Sequence, residues 1–161
     1  MKTFIIEIKP KSVDLDPLAN AVRGELIELG VPKDQATIQT KRLFKLEGEL
    51  SSDQIDKIIS ALLLDPVVEV AEWETEGAKS NKKKPAKTLL EIDVWPKMGV
   101  TDPTGDTVQK GIKDLGISVD VKAKTGIRLS FLKLSDKNMA RSAAKQTIAN
   151  ELVHDIQYRK N

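Results

Sequence analysis

His154 is the only histidine in the chain, and a general base is the chemistry it could offer. Nothing stands ready to complete that chemistry. There is no cysteine and no second histidine, so neither a thiolate or imidazole metal site nor a Ser/His/Asp triad can be assembled. A surface histidine is the favoured reading. The stretch Gly99-Val100-Thr101-Asp102-Pro103-Thr104-Gly105 invites a phosphate-loop reading, but it lacks the Gly-Lys-Ser/Thr ending. Asp102 also argues against a phosphate. A carboxylate at a helix N-terminus takes up the backbone donors that an anion would need. Lys82-Lys83-Lys84 could touch nucleic acid or an acidic partner, although solubilising a linker is the simpler role.

The whole-chain numbers narrow the field. With 26 basic and 24 acidic residues the formal charge is only +2, which gives no general attraction to nucleic acid or anionic membrane. The segment Phe4-Ile5-Ile6-Glu7-Ile8 reads as a strand rather than a signal peptide, and no stretch is apolar enough for a bilayer span. A cytoplasmic protein with no cofactor of its own is the expectation.

Residues that could be functional belong to a pattern that occurs twice. Lys9-Pro10-Lys11-Ser12-Val13-Asp14-Leu15-Asp16-Pro17 returns as Trp95-Pro96-Lys97-Met98-Gly99-Val100-Thr101-Asp102-Pro103, at an offset of 96 − 10 = 86. The same offset relates Val22 to Val108 and Leu29-Gly30 to Leu115-Gly116. Further on, the offset drops to about 83, as if one loop of the second copy were about three residues shorter, a change that loops tolerate. Self-similarity at fixed spacing implies two copies of a small unit that cannot cover its own apolar face.

Each copy begins with period-two alternation, Phe4/Ile6/Ile8 and Leu90/Ile92/Val94, the mark of a strand with one buried face. Asp16-Pro17 and Asp102-Pro103 then supply an N-cap and a first helical residue. Leu18, Val22, Leu26 and Leu29, and in the second copy Val108, Ile112 and Leu115, mark the helix faces, with Gly30 and Gly116 as left-handed stops. Two short strands per copy follow, around residues 36–40 and 44–50, then residues 119–123 and 127–131. A second helix starts at the capping box Ser51/Gln54, with Ile55, Ile58, Ile59, Leu62 and Leu63 inward. Its counterpart starts at Ser135 and carries the small face Ala140, Ala143, Ala144, which asks for a closely approaching partner. A last strand closes each copy, with Trp73 and Tyr158 at matching positions and Glu69 where the second copy has His154. The expected class is α+β, as duplicated β-α-β-β-α-β units with a ferredoxin-like order. The expected division is residues 1–75 as the first repeat, 76–87 as a lysine-rich flexible linker and 88–161 as the second repeat.

Pro96-Lys97-x-Gly99-Val100-x-Asp102-Pro103-x-Gly105-x-x-Val108, ending in Leu115-Gly116, closely resembles the PurS family. So does residues 148–158, Ile-Ala-Asn-Glu-Leu-Val-His-Asp-Ile-Gln-Tyr. The first copy matches more loosely, with Ala19 in the place of Gly105, and the Arg-x-Gly-Lys stretch usual in the family is replaced in both copies, by Gln39-Thr40-Lys41 and by Lys122-Ala123-Lys124-Thr125. Family members are the small subunits of phosphoribosylformylglycinamidine synthase, and are ordinarily single copies that pair. This chain resembles two such subunits fused.

The resemblance implies a non-catalytic subunit of an ATP- and glutamine-dependent C–N ligase of purine biosynthesis. It would form an intrachain pseudo-dimer with exchanged segments, open to further homo-oligomerisation. It would bridge the synthetase and glutaminase subunits, and would aid ammonia transfer between them. No catalytic residue and no metal ligand is expected. Asp16, Pro17, Asp102 and Pro103 are expected as structural anchors, and Lys11, Lys97 and Thr104 as candidates for partner contact. Two rivals stay open. One is a tandem sensing module with a small ligand at the inter-copy interface. The other is RNA binding through the linker lysines, weakened by the few aromatics available for base stacking.

Overall fold

Alternating side chains make a strand that needs a cover on one face, and in this protein both copies share a single cover. The computed structural model describes residues 1–78 and 88–159, so most of the expected linker lies outside the described residues. In chain order the elements are β1 (Lys2–Pro10), α1 (Pro17–Glu28), β2 (Ile38–Gly48), α2 (Ser52–Ile58) and β3 (Glu69–Thr75). The second copy gives β4 (Leu90–Pro96), α3 (Pro103–Asp114), β5 (Lys122–Phe131), α4 (Lys137–Thr147) and β6 (His154–Arg159). The strands form one antiparallel sheet in the order β3-β1-β2-β5-β4-β6.

The α+β class and the duplication hold, but each copy is β-α-β-α-β. The two short central strands expected in each copy are one long strand. Lys41-Arg42-Leu43 contains no turn residue, so the alternation of β2 runs straight through it. In the second copy Gly126, which lies between the two expected strands, stays within β5 with the Trp95 ring over it. A Cβ there would come within 2.6 Å of that ring. The loop after the first helix is also less shortened than expected. Thr40 and Thr125 occupy equivalent places, an offset of 125 − 40 = 85, so one residue is lost and not three.

The seam between the copies is the β2–β5 pairing. Arg42 pairs with Ile127, its own equivalent (127 − 42 = 85), so a pseudo-two-fold axis passes through that pair. This is the self-complementary pairing of a symmetric dimer, made within one chain.

The helices cross that seam. Val22 and Leu26 of α1, both fully buried, pack with Leu90, Ile92, Leu129 and Phe131 of the second copy. There α1 also meets Ala140, Ala143 and Ala144 of α4, the close approach that the small face required. Reciprocally, Val108 and Ile112 of α3 enter the core built on Phe4, Ile6, Phe44 and Ile55. The first helix of each copy therefore serves the core of the other. Each large aliphatic side chain so buried contributes about 1.5–3 kcal/mol.

Local details follow from chemistry. Gly30 and Gly116 take left-handed φ values of 96° and 82°, stopping α1 and α3 as expected. The capping box of α2 forms as expected, Ser51 with Gln54. After Ile58 the helix widens into a π turn over Ile59–Leu63. The extra residue rotates Leu62 off the buried stripe, so it is partly exposed and lies against Gly111 of α3. The cap of α4 is Asp136, not Ser135, because its carboxylate accepts from the backbone of both Asn138 and Met139. Trp73 packs edge-on to Phe4 and Tyr158 lies against the second core, so the matched aromatics are packing residues.

Candidate functional site

The Asp-Pro turns are clamps as well as caps. Asp16 Oδ1 accepts from the Ala19 amide at 2.9 Å and from Thr40 Oγ1 at 2.8 Å, and its Oδ2 accepts from the Thr40 amide at 3.0 Å. Asp102 repeats this with the Gly105 amide, Thr125 Oγ1 and the Thr125 amide at 2.9, 2.8 and 2.7 Å. Each carboxylate ties a helix start to the central strand of its own copy. One amide of each first turn is spent on it, and its negative charge sits where a phosphate would dock, which argues against the phosphate-loop reading. Pro17 and Pro103 sit at the first helical turn, where a missing N–H costs nothing. Asp16 is buried, whereas Asp102 is half-buried. Asp16→Ala removes a cap (about 0.5–2 kcal/mol) and strands the Thr40 amide (about 1–3 kcal/mol). A loss of roughly 2–4 kcal/mol in urea unfolding is expected for it, with a smaller loss for Asp102→Ala.

The three candidates for partner contact differ. Lys11 donates its ammonium to the Pro66 carbonyl at 2.7 Å, so it braces its own loop. The Lys97 ammonium makes no hydrogen bond or ion pair among the described residues. Thr104 is exposed on the first turn of α3.

All four helices lie on one side of the sheet, and the other side carries a charged seam. Arg128 is buried at its centre. Its Nε and Nη2 donate to the two oxygens of Asp93 at 2.7 and 3.0 Å, and its Nη1 bonds Glu7 of the first copy. Lys41 reaches Glu7 at 3.2 Å, and Arg159 reaches Glu91 and Asp93 at 3.3 and 3.7 Å. Burial holds the Asp93 carboxyl above the ordinary carboxylate range, against the pull of Arg128. Burial works against the Arg128 charge, but Asp93 and Glu7 outweigh it and bind its proton more tightly. Beside this seam, Lys45 and Lys124 stand 5.8 and 6.0 Å from the Trp95 ring. A polar cleft of about 220 Å³ opens there, lined by both copies through Ile5, Lys45, Glu74, Trp95, Arg128 and Arg159.

On the helix side of the second copy is another cavity, of about 230 Å³, between the start of α3 and the start of β6. Ile127, Ile148, Val100 and His154 line it. His154 is half-buried at the head of β6, and its Nδ1 accepts from the Asn150 amide at 3.0 Å. The neutral ring therefore carries its proton on Nε2. Among the described residues no group of acids and histidine could hold a metal ion, and no helix is long and apolar enough to cross a membrane.

The family model for PurS, phosphoribosylformylglycinamidine (FGAM) synthase, matches residues 3–77 and again residues 89–161. The chain belongs to the PurS family. It is a tandem member, with two PurS units fused. Among curated proteins none matches significantly. Membership ties the chain to FGAM synthase and purine biosynthesis.

Fusion lets the PurS units differ at positions that a symmetric pair must keep identical. Glu7 and Asp93 are equivalents, and both converge on Arg128, whose own equivalent is the buried Leu43. Arg42 and Glu69, joined at 2.8 Å, are the equivalents of Ile127 and His154. Sequence reasoning missed Arg128, Glu7, Asp93, Thr40 and Thr125 as structural residues. Aligning the central strands at an offset of 85 would have found the two threonines. The charged seam needs a strand register, which the repeat alone does not supply.

Proposed function

We propose that this PurS chain is a non-catalytic scaffold subunit of FGAM synthase that bridges the ATP-dependent synthetase and the glutaminase and aids ammonia passage between them. The observation that carries this reading is the tandem family match, folded as one swapped body with two non-identical ends. A body of that kind can present a different surface to each of two partners. No cofactor is assigned to it, and neither nucleic acid nor membrane is a proposed partner.

Reconstitution tests the reading. The purified chain is mixed with the synthetase and glutaminase subunits, and amidine formation is followed with glutamine or with ammonia as nitrogen source. Omitting the chain is expected to lower the glutamine-dependent rate at least tenfold while leaving much of the ammonia-dependent rate. Equal glutamine-dependent rates with and without the chain would refute the scaffold role. The cleft lined by both copies favours a second reading, a sensor of a small zwitterionic or anionic ligand. That reading predicts a rise in melting temperature with an amino acid or nucleotide when no partner subunit is present.

A further inference from the structure

The two copies follow the same order of strands and helices, so a difference between equivalent places marks what one copy does and the other does not. In the first copy, Arg42 reaches from β2 to the end of the second helix and the start of β3. Its guanidinium donates to the Leu63 carbonyl at 3.0 Å and to both oxygens of Glu69 at 2.8 Å. In the second copy Ile127 is too short to reach so far and has no polar end. His154, in the place of Glu69, turns its Nδ1 to the Asn150 amide instead. What Arg42 occupies in one copy is left open in the other, and the cavity of about 230 Å³ lies there.

The loops next to two of its lining residues, Pro96 and His154, carry exposed apolar side chains. Met98 is 98% exposed and Leu152 is 84% exposed. Their loops are tied together by the Lys97 amide, which donates to the Val153 carbonyl at 2.9 Å. The loop that carries Leu152 is braced on both sides. Asn150 accepts from the Leu152 and His154 amides, and Glu151 is held by Arg141 and Lys145 of α4. Two large apolar side chains held out in water on two loops tied to each other are exposed apolar surface that calls for a cover. Two polar groups on these segments lack partners among the described residues, the ammonium of Lys97, next in the chain to the lining residue Pro96, and Nε2–H of the lining residue His154. Asp102, the carboxylate in the cavity wall, is already committed to three donors.

We propose that this end of the second copy is a protein-docking site, whose occupant is a partner segment that inserts one apolar side chain between Ile127 and Ile148 and sets a carboxylate against Lys97. The cavity is smaller than the roughly 300–1,000 Å³ of small-molecule sites and matches one inserted side chain better. The occupant's charge follows from the donors left over, a cation and an imidazole N–H that make no hydrogen bond among the described residues. The first copy cannot bind the same segment, because Arg42 and Glu69 fill the site and Lys11 is engaged with Pro66. The proposal rests on the bridging reading and adds that the ends of the scaffold are specialised, the second for an acidic and apolar segment of one subunit.

The test transplants the first copy's plug into the second. The double variant Ile127→Arg/His154→Glu rebuilds a pair that the fold already accommodates in the first copy. A second variant, Lys97→Glu, changes only the rim. Binding of each to the isolated synthetase and to the isolated glutaminase is measured by calorimetry, with melting temperature as the folding control. The wild type is expected to bind both. Each variant, at an unchanged melting temperature, is expected to bind one of the two at least tenfold more weakly and the other normally. Folded variants that bind both subunits like the wild type overturn the docking site and leave the bridging reading intact. A wild type that binds neither subunit overturns the bridging reading and the docking site with it. If the plugged variant fails to fold, Lys97→Glu alone decides, by a selective loss or by none.

Discussion

Expressed apart, residues 1–78 and 88–161 are expected to give no stable monomer. The first half would carry α1 with Ala19, Val22 and Leu26 facing water, because their partners are Leu90, Ile92, Phe131 and the alanines of α4. The second half would lose those side chains from its own core and expose Val108 and Ile112 of α3. At about 1.5–3 kcal/mol for each large side chain, this loss rivals the 5–15 kcal/mol that holds a whole domain together. The open edge of β2 or β5 adds a row of unpaired backbone groups. Each half should therefore be molten or self-associated on a sizing column with light scattering. Mixing the halves should restore the swapped fold, seen as sharp near-ultraviolet dichroism. Two well-folded monomeric halves would refute the shared cores. In the intact chain the pairing is intramolecular, so melting temperature should not depend on protein concentration unless the chain assembles further.

Arg128→Leu is expected to cost about 3–5 kcal/mol, although leucine is what the first copy carries at the equivalent place. The cost comes from what remains. Glu7 and Asp93 converge on Arg128 from the two copies, and without it both lose their central cation in a buried setting. Leu43 has no such burden, because the carboxylate it faces on β1, Glu7, is already held by Arg128 and Lys41. The pH dependence has a definite sign. The Asp93 carboxyl already titrates above the ordinary range, chiefly through burial, and losing Arg128 raises it further. A group whose folded pKa is raised gives stability that is present in acid and lost as pH climbs through the folded value. The deficit of Arg128→Leu should therefore widen from acid toward neutral pH, as measured by urea midpoints across that range. Adding Glu7→Gln and Asp93→Asn to the leucine background should recover much of the loss at neutral pH. A single variant as stable as the wild type at neutral pH would show that the seam contributes nothing.

Much of the architecture was legible because it rests on local chemistry. The alternation of Phe4, Ile6 and Ile8, the Asp-Pro starts of α1 and α3 and the glycine stops after them specify their elements wherever they occur. The repeat then announced two units, and the small face of α4 announced a close partner. The central strands were expected as pairs of short ones, whereas each runs unbroken, in the second copy through Gly126. Only the Trp95 ring lying over it shows why a missing side chain is required there. The π turn after α2 was not legible either, since it depends on how Leu62 meets Gly111 from the other copy.

The site divides in the same way. Sequence placed Asp16 and Asp102 as caps, because an N-cap needs only its own helix. It could not show that each also clamps Thr40 or Thr125, which lie more than twenty residues away in the chain. Sequence by itself determined that the chain is a duplicated α+β protein of the PurS pattern, with a helix start fixed by each Asp-Pro turn. Tertiary structure alone decided which copy each helix serves, that Glu7 and Asp93 share one arginine, and that Ile127 leaves open what Arg42 closes. The physical reason is range. Caps, turns and periodicity are energies of neighbours along the chain, whereas packing and charge pairing are energies of neighbours in space, set only once the sheet has chosen its register.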